Sequence, residues 1–130
     1  MKYAINTKIF RFEAAHHLPG HHGKCARPHG HSYRLEVTLR GPIKKTPGAS
    51  DHGMVIDFGD LSRIVKNAVL ERLDHQDLNA VTELHTTAEH LAHWIWDELT
   101  VSGLPEALLY RIRLWETDSC FVEITQRERN

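Results

Sequence analysis

A chain of 130 residues has the size of a single domain with one core. Its 16 Lys and Arg against 17 Asp and Glu leave a net charge of −1, which argues against a general nucleic-acid or membrane-surface role. No apolar run approaches the roughly 20 residues of a membrane helix and the amino terminus lacks a signal-peptide core, so the chain reads as cytoplasmic.

Two cysteines, Cys25 and Cys120, are expected to be free in such a compartment. Eleven histidines are the compositional anomaly.

Residues 3 to 15 alternate as a strand, with Phe10, Phe12 and Ala14 on one parity and Tyr3, Ile5, Thr7 and Ile9 on the other. His16 ends that strand on the Phe10/Phe12 side. Residues 17 to 28 are rich in His, Gly and Pro and form a loop that carries Cys25. A second strand starts at His29: Tyr33, Leu35, Val37 and Leu39 alternate with Arg34, Glu36, Thr38 and Arg40. Because side chains alternate with period two, His29 and His31 share its inward face.

The polar, Pro/Gly-rich stretch 41 to 53 is a surface loop, and Met54 to Asp57 a short extended piece. Leu61, Ile64, Val65, Ala68, Val69 and Leu73 then recur at helical spacing up to Asp74-His75. A second helix is expected from Thr86, with Thr86-Thr87-Ala88-Glu89 as a capping box and Leu91, Trp94, Ile95 and Leu99 as its buried stripe, stopped by Ser102-Gly103-Leu104-Pro105. Two strands follow, 108 to 116 and 120 to 126, turning at Thr117-Asp118-Ser119. The order ββααββ predicts an α+β architecture: a four-stranded antiparallel sheet with two helices on one face.

Four groups could carry chemistry. His16, His29 and His31 would converge at the mouth of the first hairpin, and three inward imidazoles suit a zinc ion with one position left open. Three unpaired buried rings would otherwise cost about 1–3 kcal/mol each. Cys25, beside Lys24 and Arg27, would be a usable base or nucleophile near a cation; alternatively it is a small hydrophobe under its loop. In Asp74-His75 a carboxylate could fix the tautomer of its neighbour for proton transfer, unless Asp74 merely caps the helix. Glu116 shares the parity of Tyr110, Ile112 and Leu114, which puts a carboxylate at the end of the inward face. A ligand with two parallel N–H donors would satisfy it, as would a Lys or Arg of the chain. His17, His21, His22, His52, His85, His90 and His93 read as ordinary loop and helix-surface residues.

Phe12-Glu13-Ala14-Ala15-His16, Cys25-x3-His29-Gly30-His31, Met54-Val55-Ile56-Asp57-Phe58, Leu73-Asp74-His75-x2-Leu78-Asn79, Thr87-x-Glu89 and Trp115-Glu116-Thr117 together resemble the 6-pyruvoyl-tetrahydropterin synthase family over nearly the whole chain. The Cys-x3-His-Gly-His interval resembles its bacterial 6-carboxy-tetrahydropterin branch. The resemblance implies the tunnelling fold, in which sheets of several subunits join into a barrel, usually in a homohexamer with its sites at subunit interfaces. It implies Zn²⁺ on His16, His29 and His31, Cys25 as catalytic base, and Asp74 and His75 as a proton-transfer pair. It implies that Glu116 anchors a pterin, with Thr87 and Glu89 lining the same pocket, although the capping box also claims Glu89. The implied substrate is 7,8-dihydroneopterin triphosphate, with no nucleic acid or membrane as partner.

Overall fold

The computed structural model describes Met1–Asn130. Its longest feature is a hairpin of two 14-residue strands, β1 (Tyr3–His16) and β2 (His29–Pro42), paired antiparallel along their whole length from Tyr3↔Pro42 to His16↔His29. The expected parity holds. Phe10, Phe12, Ala14 and His16 of β1 and Tyr33, Leu35, Val37 and Leu39 of β2 are buried, while Tyr3, Ile5, Thr7 and Ile9 are exposed.

After the surface loop and the irregular segment 54–57, α1 (Phe58–Val65) starts on Asp57, whose carboxylate accepts from the amides of Gly59 and Asp60. The helix runs on through a π turn at Lys66–Leu70 into α2 (Glu71–Leu73). Leu61, Val65, Ala68, Val69 and Leu73 are its buried stripe, as their spacing requires. A two-residue strand β3 (Gln76–Asp77) and a single turn α3 (Leu78–Val81) follow. Helix α4 (Ala88–Val101) and the strands β4 (Leu109–Trp115) and β5 (Phe121–Thr125) complete the layers, with a short 3-10 turn at Gln126–Arg129.

The sheet order is β3-β1-β2-β4-β5. The four expected strands are antiparallel neighbours, but β3 adds a fifth that lies parallel to β1, pairing Gln76 and Asp77 with Ala14 and Ala15. Two residues carry no readable alternation, so local pattern could not announce it.

Three further expectations are corrected. Tyr110 is exposed, because the β2–β4 register steps from Thr38↔Arg111 to Leu39↔Leu109 and passes over it, so Leu109 takes the inward place. In α4 it is Trp96 that is fully buried; Trp94 is half-buried under the Arg72 guanidinium, 4.7 Å from its ring. On the helix-free face, Glu36 and Thr38 are buried although their parity is outward. The Trp115 indole N–H donates to Glu36 at 2.6 Å and the Thr7 hydroxyl meets that of Thr38 at 2.7 Å, so neighbouring side chains cover them.

Candidate active site

The hairpin register sets His16 opposite His29 and His31 opposite Ala14, one inward step along. The three rings meet edge to face, with centroids 4.6, 5.1 and 4.9 Å apart, and one nitrogen of each lies within 4.8 Å of the others. Two of them are tied back through their other nitrogen: His16 Nδ1 donates to the Thr86 carbonyl at 2.8 Å and His29 Nδ1 to the Arg27 carbonyl at 2.8 Å. A carbonyl only accepts, so the proton resides on Nδ1 and the Nε2 lone pair faces the cluster. Nε2 of His16, His29 and His31 are all buried without a hydrogen-bond partner.

Burial, the largest influence, pushes His16 and His31 below the ordinary histidine value of 6.5, against the opposing pull of the Glu116 carboxylate. Three imidazoles with orphaned, converging Nε2 atoms are a ligand set for a divalent cation.

Glu116 stands just past β4 and its Oε2 lies 3.8 Å from His16 Nε2 and 3.9 Å from His31 Nε2. It thus faces imidazoles instead of a Lys or Arg of the chain. It also borders a hollow of about 250 Å³ with Thr87, Glu89, Cys120 and Phe121.

Two expectations change here. The N-cap of α4 is Thr87, whose hydroxyl accepts from the His90 amide, so the third helical residue is His90 and no capping box forms. Glu89 is thereby left to the hollow. Cys120, expected as the first residue of the last strand, precedes it and is exposed at the rim of the same hollow.

Thr86, freed from capping, is fully buried and receives the His16 ring. Its hydroxyl also bonds the His17 carbonyl and the Asn79 side chain, while Asn79 clamps the His17 backbone at both its N–H and its C=O. The sequence pointed to Thr86 only as a helix cap and assigned Asn79 no contact. The signal was faint: a Leu-Asn and a Thr-Thr pair, each ordinary in turns and caps.

Asp74 and His75 close the helix end against β1. The Asp74 carboxylate accepts from the Glu13 amide at 2.9 Å and meets His75 Nδ1 at 3.0 Å, and the His75 amide donates to the Glu13 carbonyl. The Glu13 amide first, then His75, holds the Asp74 carboxyl below the usual carboxylate range. His75 sits at φ +60°, a left-handed backbone that costs a non-glycine residue about 1–2 kcal/mol.

His75 borders a different hollow, of about 530 Å³, lined with Glu13, Ser32 and His31. His31 is the hinge of the arrangement, since it borders this hollow while its Nε2 approaches Glu116, which borders the other.

Cys25 lies half-buried in a 3-10 turn (Lys24–Ala26), its thiol free and its carbonyl accepting from the amide of Leu18, a residue of the Glu116 hollow. Lys24 and Arg27 beside it are exposed. The remaining histidines have ordinary settings: His21 and His22 stack on each other in the loop, His52 accepts from the Thr46 amide, His90 bonds the His85 carbonyl and His93 takes a hydrogen bond from Arg129.

The sequence matches the family model described as 6-pyruvoyl tetrahydropterin synthase over residues 5–127. A 6-carboxy-5,6,7,8-tetrahydropterin synthase of Synechocystis sp. is 43% identical over 114 residues, which cover 87% of this chain and 86% of the relative. A 6-pyruvoyl tetrahydrobiopterin synthase of Dictyostelium discoideum is 40% identical over 78% of this chain and 73% of its own. Among solved structures, that of Caenorhabditis elegans 6-pyruvoyl tetrahydropterin synthase superposes with a TM-score of 0.85 at 26% identity, covering 96% of each chain.

Proposed function

The chain belongs to the 6-pyruvoyl tetrahydropterin synthase family and is an enzyme acting on pterins, and we propose that it converts 7,8-dihydroneopterin triphosphate and one water to 6-carboxy-5,6,7,8-tetrahydropterin, acetaldehyde and triphosphate, a step toward 7-deazaguanine compounds. The observation that carries this reading is the Glu116 carboxylate beside three orphaned imidazole nitrogens, at 3.8 and 3.9 Å from two of them. A pterin presents a 2-amino and N3–H edge, two parallel donors of the kind a carboxylate accepts in bidentate fashion.

His16, His29 and His31 would hold Zn²⁺. When bound it supplies Lewis acidity, lowering the pKa of oxygens on the substrate side chain. Glu116 grips the pterin edge, and Thr87 and Glu89 line the same hollow, so that the side chain is delivered to the metal face. Cys25 removes a proton from the side-chain carbon, and His75, oriented by the ionised Asp74, relays protons. Since His75 and Glu116 border separate hollows of one chain, the complete site is built where copies meet. The assembly is a cytoplasmic homohexamer of joined sheets, and the monomer is inactive.

The branch within the family rests on Cys25-x3-His29-Gly30-His31, because relatives bearing either name are similarly identical. Incubating zinc-replete protein with 7,8-dihydroneopterin triphosphate tests it. Acetaldehyde together with a 6-carboxy pterin is the expected result. Triphosphate release with an intact three-carbon side chain would move the protein to the 6-pyruvoyl reaction, and no turnover would remove both.

The backbone at residue 75 yields a separate prediction. Because glycine adopts φ +60° freely while loosening the unfolded chain, His75→Gly should stay within about 1 kcal/mol of the parent in thermal unfolding. Turnover, deprived of its proton relay, should fall about 10²–10⁴-fold. A variant that unfolds early but turns over normally would show that the residue serves the backbone alone.

A further inference from the structure

Four buried polar atoms around Glu116 lack hydrogen-bond partners: Nε2 of the three histidines and the hydroxyl of Tyr33. A metal on the imidazoles accounts for three of them and leaves the phenol unexplained. Tyr33 is 1% exposed, and it is held rigidly, stacked on Phe12 at 4.8 Å with the rings 8° from parallel. Its ring stands edge-on to His31 at 5.6 Å and to His16 at 6.4 Å. Phenylalanine would fill the same space without stranding a buried donor.

The cross-strand geometry indicates the acceptor. The β2–β4 ladder ends at Arg34↔Trp115, so Tyr33 and Glu116 are the next residues to face each other, both on the inward parity. Both groups also stand against the same two rings: Glu116 leans toward the imidazoles of His16 and His31, and the Tyr33 ring lies edge-on to each. A phenol is a donor at neutral pH.

We propose that Tyr33 is a positioning residue for the pterin site: its hydroxyl donates to the Glu116 carboxylate when that carboxylate turns to grip the ligand, and so selects the productive rotamer. This deepens the functional reading above and rests on it. A carboxylate oxygen has two lone-pair directions, so one can take the phenol while the other takes a pterin N–H. The donor that has no partner in the structure gains one when the carboxylate grips the ligand.

The test is a double-mutant cycle on the zinc-loaded protein, with neopterin fluorescence as the probe of binding. Parent, Tyr33→Phe, Glu116→Gln and the double variant are titrated, and zinc content and melting temperature are recorded for each. Y33F is expected to weaken neopterin about 5–20-fold in the parent background and less than 2-fold in the E116Q background, with zinc content unchanged and ligand-free melting equal or higher. Equal weakening in both backgrounds, no weakening in the parent background, or loss of zinc in Y33F would overturn the proposal. If the parent itself ignores neopterin, the pterin reading of the whole site fails, which is a different result from normal parent binding that Y33F leaves untouched.

Discussion

Cys25→Ala should lower turnover of 7,8-dihydroneopterin triphosphate about 10²–10⁴-fold, the range of a lost general base, while the protein keeps its full complement of zinc. The two halves of that expectation have separate grounds. The thiol lies outside the three-histidine cluster, which is set by the β1–β2 register and by one loop contact, the Arg27 carbonyl on His29 Nδ1, a backbone group that alanine at 25 leaves in place. The loop, in turn, is tied to the Glu116 hollow through the Leu18 amide and the Cys25 carbonyl, a backbone bond that alanine retains. Fold and metal should therefore survive while the base is lost. Cys25→Ser keeps the shape but replaces the thiol with a far weaker acid, and it should fall nearly as far. Steady-state rates beside zinc analysis check this, and retained turnover in C25A would remove Cys25 from the chemistry.

His31→Ala should abolish stoichiometric zinc binding, and with it both turnover and the metal-dependent part of thermal stability. A cation present at 100 times its Kd stabilises the native state by about 2.7 kcal/mol, and that increment should vanish from the variant. In the metal-free state the substitution removes a buried, unpartnered nitrogen, so metal-free variant and metal-free parent should melt within a few degrees of each other. Melting curves with zinc and with chelator separate the two effects. A variant that still takes up one equivalent of zinc would dissolve the ligand assignment.

The same site sets a pH dependence. His16 and His31 have folded-state pKa values depressed below 6.5, chiefly by burial. Above 6.5 both folded and unfolded rings are neutral and contribute no difference. As pH falls below 6.5 the unfolded chain takes up protons that the folded chain refuses, so stability is lost progressively down through the depressed values. The metal-free protein should show this decline between neutral and mildly acidic pH. Zinc, which binds only neutral imidazole, should steepen it.

Most of the fold, and the convergence of three histidines, were legible in the residues. Period-two alternation placed both strands of the hairpin, and since parity is conserved along a strand it also carried His16, His29 and His31 to one face. Glu116 was reached by the same parity, although Tyr110, used to establish it, is displaced by a register step that only pairing with β2 reveals. Where two nearby residues of one type offer the same chemistry, spacing alone does not tell them apart. Thr86 and Thr87 are equally good caps, and the buried Thr86 is committed to the His16 ring, which leaves the cap to Thr87. Trp94 and Trp96 divide in the same way between the half-buried flank and the core.

Local periodicity by itself determined the element order, the inward faces and the histidine trio, because those depend on backbone geometry that repeats within a few residues. The tertiary structure decided what depends on distant partners. It tied His16 to Thr86 across seventy residues, brought Glu116 to 3.8 Å from that ring, bent His75 into a left-handed turn against Glu13, and left the Tyr33 hydroxyl unpaired. Such features arise where separately determined elements pack, and hydrogen-bond satisfaction there is settled by atoms that sequence spacing does not bring together.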